Sequence, residues 1–171
     1  VEELAKRGDA KGVDLPRPMI GREGCDLSLS GLKTAVRQTV AKLAQGPKPT
    51  EDLANVAAAF QAAIGDVLVD RSRNAIQQFL ARHPNQGAFV IAGGVAANEY
   101  LRARLSELAE SEGMRLHVPP QNLCTDNGAM IAWVGIERLR LGLTDGLDFA
   151  AKPRWPLDPR AISNRGNGAR P

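Results

Sequence analysis

The pattern of apolar and polar positions is most informative between Phe89 and Asn98, read as FVIAGGVAAN. Four residues of strand character, Phe89 to Ala92, run into Gly93-Gly94, and Asn98 then opens a helical repeat. A strand, a turn without side chains and a helix start, in that order, can bring backbone amides close to a nucleotide. A second polar turn, Cys124 to Met130 (CTDNGAM), comes one helix and one strand later. The pattern predicts that strand at about Arg115–Val118 and helices over about Asn98–Ser111 and Asp126–Leu141. A strand–helix–strand unit of this length predicts a parallel pair with a right-handed crossover. Ligands of such sheets bind at the carboxyl ends of the strands, so both turns are expected to open on one crevice.

Upstream the pattern is longer in period. Val1 to Arg7 (VEELAKR) reads as the middle or end of a helix whose beginning is absent, and Gly8, Gly12, Pro16, Pro18, Gly21 and Gly24 then break regular structure. Asp26 to Ser30 (DLSLS) alternates as a short half-buried strand does. Ser30 is a candidate cap for a helix from about Leu32 to Ala44, whose apolar face is Leu32, Val36, Val40 and Leu43 and whose stop is Gly46-Pro47. Thr50 opens the longest element, in which Leu53, Val56, Phe60, Ile64, Val67, Leu68, Ile76, Phe79 and Leu80 keep helical spacing to about Arg82. Gly65 is a candidate bend, and His83 to Gly87 ends the helix. The apolar stripe is most simply a core face.

These elements predict an α/β fold. Two or three short parallel strands are few for four or so long helices, and parallel sheets are usually covered on both faces. With its truncated start, the chain is expected to be part of a larger α/β protein whose N-terminal portion supplies the rest of the sheet.

Composition changes this picture little. The 171 residues are 43% apolar and 24% charged, ordinary for a soluble globular protein. Aromatics are only 4% and alanine is abundant, which favours helices packed closely on a sheet. A run of about 18 apolar residues and a signal-peptide pattern are both lacking, so neither a membrane span nor export is expected, and a cytoplasmic location is. Cys25 and Cys124 match no zinc spacing and read as reduced thiols. The net charge of +3 conceals a division. From Lys152 onward there are five basic residues and one acid, so the Pro/Gly/Asn-rich end carries +4 and the rest −1. Residues 1–151 therefore read as one domain and 152–171 as a basic tail without fixed structure, either solvated or in contact with RNA phosphates.

The candidate chemistry sits at the two turns. The backbone of Gly93 and Gly94 would let a purine or ribose lie against it. Asn98 can donate and accept, which suits a base edge or a ribose hydroxyl; equally it suits a helix N-cap. Thr125-Asp126-Asn127 opens another helix, where Asp126 is either a cap or one hard-oxygen ligand of a divalent metal. One carboxylate is not a metal site, and neither His83, at a helix end, nor His117, inside a strand, is well placed to help. Cys124 lies beside Asp126, which disfavours a thiolate nucleophile. Lys33, at a helix start, could reach a phosphate but reads more simply as a surface lysine. No nucleophile–base arrangement is present at either turn, and no residue is assigned as catalytic.

Four segments carry a resemblance: SLSGLKTAVR (28–37), IAGGVAANEYLR (91–102), VPPQNLCTDNGAMIAW (118–133) and PRWPL (153–157). In order and spacing they resemble the C-terminal part of the TsaD-type tRNA threonylcarbamoyladenosine synthase subunit, formerly called O-sialoglycoprotein endopeptidase. PRWPL is similar to the bacterial members. The resemblance implies an actin-like (ASKHA, ribonuclease H-like) ATPase fold, of which this chain is most of the second subdomain with its first strands missing. It implies transfer of a threonylcarbamoyl group from threonylcarbamoyl-AMP to the exocyclic amine of the adenosine next to the anticodon, with ATP or that adenylate as bound nucleotide. The implied partners are tRNA and the accessory subunits of the bacterial threonylcarbamoylation complex. By position, Asn98 matches the family's nucleotide-binding asparagine, Gly93 and Gly94 its adenosine turn, and Asp126 its metal-binding aspartate, described as an iron ligand. Glu2 matches an acidic position that binds the ribose. Ala96 and Gly128 stand where the family often has Ser and Ala, and Leu27 and Leu29 where it often has Phe; none of these departures removes a polar group the chemistry needs. The family's H-x-x-x-H metal histidines and phosphate-binding glycine loop lie N-terminal to this segment, so the chain alone is expected to be inactive. The rival expectation is a nucleotide-binding module that docks a partner through its long helix and performs no chemistry. The older protease name finds no support, because there is no zincin helix and no base beside a nucleophile.

Overall fold

The computed structural model describes residues 1–43, 49–84 and 87–150. The expected helix stop at Gly46-Pro47, the helix end at Ala44, the PRWPL segment and the basic tail lie outside the described residues. The chain divides into two compact units, Val1–Asn127 and Gly128–Pro171.

The first unit is built on one helix. In chain order its elements are α1 (Glu2–Ala5), α2 (Ser30–Leu43), α3 (Pro49–Arg82), β1 (Ala88–Val90), α4 (Glu99–Ser111) and β2 (Arg115–His117). Helix α3 packs against α1, α2 and α4. Its small residues make this possible. Ala57 and Ala58 receive Ala5 and Leu4 of α1, while Ala59 and Ala63 receive Leu15 and Leu32. Further along, Ile76 joins Leu105, Leu108, Ala109 and Met114, and this cluster carries the inward side chains of the sheet, Phe89 and Leu116. By length and composition α3 could cross a membrane. Three helices instead occupy its faces, and it buries Arg71 at 3% exposure with bonds to the carbonyls of Arg22 and Gly24 and to the Asp70 carboxylate. It is the core helix of this unit.

The sheet is a parallel pair with Ala88 opposite Arg115, Phe89 opposite Leu116 and Val90 opposite His117, and α4 forms the crossover. The expected strands are therefore present, β1 one residue earlier than read and both shorter. Ile91 N still donates to His117 O at 3.1 Å just past the last paired residue.

Two expectations are corrected. DLSLS forms no strand. Alternation makes a strand only where a partner edge is available; here Leu29 packs into the α2–α3 cluster and Leu27 stays exposed. Ser30 does not cap α2 but begins it, because Leu29 O already accepts from Lys33 N at 3.0 Å. Helix α3 runs through Gly65 without interruption, and the missing side chain there lets α4 approach, since a Cβ would stand 3.1 Å from the Tyr100 ring.

The second unit begins with α5 (Gly128–Arg140), two residues later than expected, so Asp126 lies outside that helix. Its end is a Schellman motif. Gly142 has φ 71°, Leu143 N donates to Arg138 O at 2.9 Å and Gly142 N to Leu139 O at 3.0 Å. An Arg138–Asp145 ion pair at 3.1 Å holds the turn.

Candidate functional site

The turn after β1 requires glycine at one position. Gly93 has φ 82° and ψ 178°, a conformation that essentially only glycine adopts. A Cβ at Gly93 or Gly94 would meet no atom within 4 Å, so the backbone there faces open space. Residues Gly94–Ala97 form one 3₁₀ turn, closed by Ala96 N donating to Gly93 O at 3.0 Å and Asn98 N to Val95 O at 3.2 Å.

Asn98 is the N-cap of α4. Its Oδ1 accepts from Leu101 N at 2.9 Å, and its Nδ2 donates to Gln61 Oε1 of α3 at 2.9 Å. Glu2 reaches the same helix end across the fold, where its Oε1 accepts from Glu99 N at 2.8 Å. A carboxylate at a helix N-terminus meets free amides and the positive end of the dipole. Glu2 and Asn98, 96 positions apart in the chain, thus satisfy one helix start from two sides.

Gly94, Asn98, Gln61 and Phe60 line a largely apolar cleft of about 330 Å³. Glu2, Gln61, Glu99 and Tyr100 line a second cleft of about 450 Å³. Gln61 borders both. Asp126 and Lys33 border neither.

The turn after β2 lies beside the first. Pro119-Pro120 lead into a 3₁₀ turn, Gln121–Leu123, and Gln121 Nε2 donates to Ala97 O at 3.2 Å. Arg102 donates from Nε and Nη2 to Ala96 O at 3.1 and 2.9 Å, and the same Nη2 lies 3.8 Å from Cys124 Sγ. Cys124 is buried and its thiol points to Pro119 O, so it serves as packing between the turns. Asn127 Nδ2 folds back on Thr125 O at 2.8 Å, and Asp126 is exposed.

Among the described residues no group of three His, Cys, Asp or Glu is placed to hold a metal ion. His117 is on the exposed face of β2, and His83 stacks on Phe79 with ring centroids 4.9 Å apart. Asp126 thus offers one oxygen donor and no more; the donor set here is not a metal centre.

The structure therefore brings together Glu2, Gly94 and Asn98 around the start of α4, sets the Asp126 turn beside the Gly93 turn, and leaves Lys33 apart on α2. Gln61, Arg102 and Gln121 were not singled out from sequence. Gln61 carried a faint signal, as a polar side chain inside the most alanine-rich stretch of α3; Arg102 and Gln121 carried none.

The family model described as TsaD: tRNA N6-adenosine threonylcarbamoyltransferase matches residues 1–133. A protein of that name from Rhodospirillum rubrum is 58% identical over 168 residues, covering 98% of this chain and 46% of the relative. Another from Methylocapsa acidiphila is 53% identical over 161 residues, covering 94% of this chain and 45% of the relative. The chain spans about half the length of the curated relatives it matches. With the resemblance read from its segments thus borne out, the chain belongs to the TsaD family of tRNA N6-adenosine threonylcarbamoyltransferases.

Proposed function

We propose that this chain is the nucleotide-holding part of a transferase that moves a threonylcarbamoyl group from threonylcarbamoyl-AMP onto the exocyclic amine of the adenosine beside the anticodon of tRNA. In that reaction the amine nitrogen attacks the carbamoyl carbon, the bond from that carbon to the phosphate oxygen breaks, AMP leaves and the amine loses a proton. The anhydride is already activated, so the protein's task is to orient the reactants and stabilise developing charge. The observation that carries this reading is the convergence of Gly94, Asn98 and Glu2 at the start of α4. Open backbone at Gly93-Gly94 suits the flat face of an adenosine, and the amide of Asn98 suits its edge or its ribose.

The same reading places the chain in an actin-like ATPase fold as most of a second subdomain, with accessory subunits of a bacterial threonylcarbamoylation complex as partners and the cytoplasm as its location. Asp126 would supply one oxygen ligand to an iron site whose other ligands lie outside this chain.

The test is reconstitution of the full-length protein with threonylcarbamoyl-AMP and unmodified tRNA, followed by digestion and detection of the modified nucleoside. Loss of product in Asn98→Ala and Asp126→Ala, with folding intact, is expected. Unchanged product in both variants sinks the assignment. The 171-residue chain by itself is expected to bind ATP more weakly than micromolar in isothermal titration.

A further inference from the structure

We infer that Gln61 is a positioning residue for Asn98, an inference that rests on the nucleotide reading of the site given above. Gln61 is half-buried on α3 among Ala57, Ala58, Ala59 and Ala63, all buried. A polar side chain in such surroundings is costly unless it is bonded, and its Oε1 accepts from Asn98 Nδ2 at 2.9 Å. At the other end of the Asn98 amide, Oδ1 accepts from Leu101 N at 2.9 Å. The cap bond alone would hold Oδ1 and leave the nitrogen end free to swing. With both ends tethered, the amide plane is set and its oxygen and nitrogen cannot exchange places. One lone pair on Oδ1 and one hydrogen on Nδ2 then remain as an acceptor and a donor for a ligand. Gln61 also borders both the cleft that Asn98 lines and the cleft that Glu2 lines, so it stands between the two groups assigned to the nucleotide.

The experiment is a double-mutant cycle on the full-length protein with ATP as the probe, read as Kd and accompanied by urea denaturation. Gln61→Leu, which removes the acceptor at similar size, is expected to weaken ATP binding about three- to tenfold, the effect of one ordinary hydrogen bond. Gln61→Glu keeps an acceptor and is expected to recover most of that loss. In an Asn98→Ala background Gln61→Leu should add nothing, because its effect passes through Asn98. A general loss of stability would move the urea midpoint without producing this non-additivity. Unchanged ATP affinity in Asn98→Ala defeats the nucleotide reading and this inference with it. A weakened Asn98→Ala beside an unchanged Gln61→Leu, or an effect of Gln61→Leu that persists in Asn98→Ala, overturns this inference alone.

Discussion

The side-chain amide of Gln121 donates to the backbone carbonyl of Ala97 at 3.2 Å, so the turn after β2 is bonded directly to the turn after β1. Arg102, on α4, holds Ala96 O of the first turn with two bonds and reaches Cys124 Sγ of the second at 3.8 Å. Together they fix how the turn that carries Asn98 lies against the turn that carries Asp126.

Arg102→Ala should therefore loosen this pair more than Gln121→Ala does. Arg102 is a charged donor making two part-buried bonds, and its loss is expected to cost about 1.5–3 kcal/mol; Gln121 is a neutral, exposed donor, and its loss about 0.5–1.5 kcal/mol. Urea denaturation measures both. Arg102→Lys keeps the charge but not the planar fork, and should fall between wild type and Arg102→Ala. Equal midpoints for all three variants would count against a tie between the turns.

Helix α1 holds Glu2 against α4 only because Gly8 lets the chain lie on α3. A methyl group at Gly8 would overlap the Ala54 carbonyl, which is backbone and cannot rotate away. Gly8→Ala is expected to destabilise by about 1–3 kcal/mol through overpacking and to release the Glu2–Glu99 bond. Gly31→Ala is the control. Its added Cβ meets nothing within 4 Å on α2, and helix propensity should make it neutral or stabilising by up to about 1 kcal/mol. The Gly8→Ala midpoint should fall and the Gly31→Ala midpoint should hold or rise.

Asp66 joins three parts of the first unit. It accepts from Arg17 Nε at 2.8 Å and from Arg104 Nη2 at 3.0 Å, linking the loop before α2, α3 and α4. Partial burial raises its pKa, but the hydrogen bonds from Arg17 and Arg104 outweigh this and hold it below the ordinary 3.8. A depressed native pKa means that the contribution is complete above the unfolded value and is lost as pH falls through the native one. Asp66→Asn is expected to cost about 1–3 kcal/mol at neutral pH. The gap between wild type and variant should close as pH falls below the ordinary aspartate range. A gap that stays constant through that range would rule out the ion pairs as its source.

Much of this site was legible residue by residue. Gly93 stands where the backbone needs a conformation that side chains forbid, and Asn98 caps the helix three residues before its bonding partner, Leu101. The parallel strand pair and its crossover helix followed from the period of the apolar positions. Less was legible where a pattern needed a partner to mean anything. DLSLS alternates correctly yet has no edge to pair with, and that Gly65 makes room for Tyr100 of α4 is visible only in the packing.

By itself, then, the sequence determined the long helices and the parallel strand pair, the glycine turn and the family, because each of these is written within a few neighbouring residues or in long ordered segments. Only the tertiary structure decided that Glu2 meets Glu99 across 97 positions, that Gln61 meets Asn98 across 37, and that Gln121 meets Ala97 and Arg102 meets Cys124 between the two turns. The first two of these bonds depend on which faces of α3 are filled by α1 and α4. Small side chains decide that by packing in three dimensions, and no local pattern encodes it.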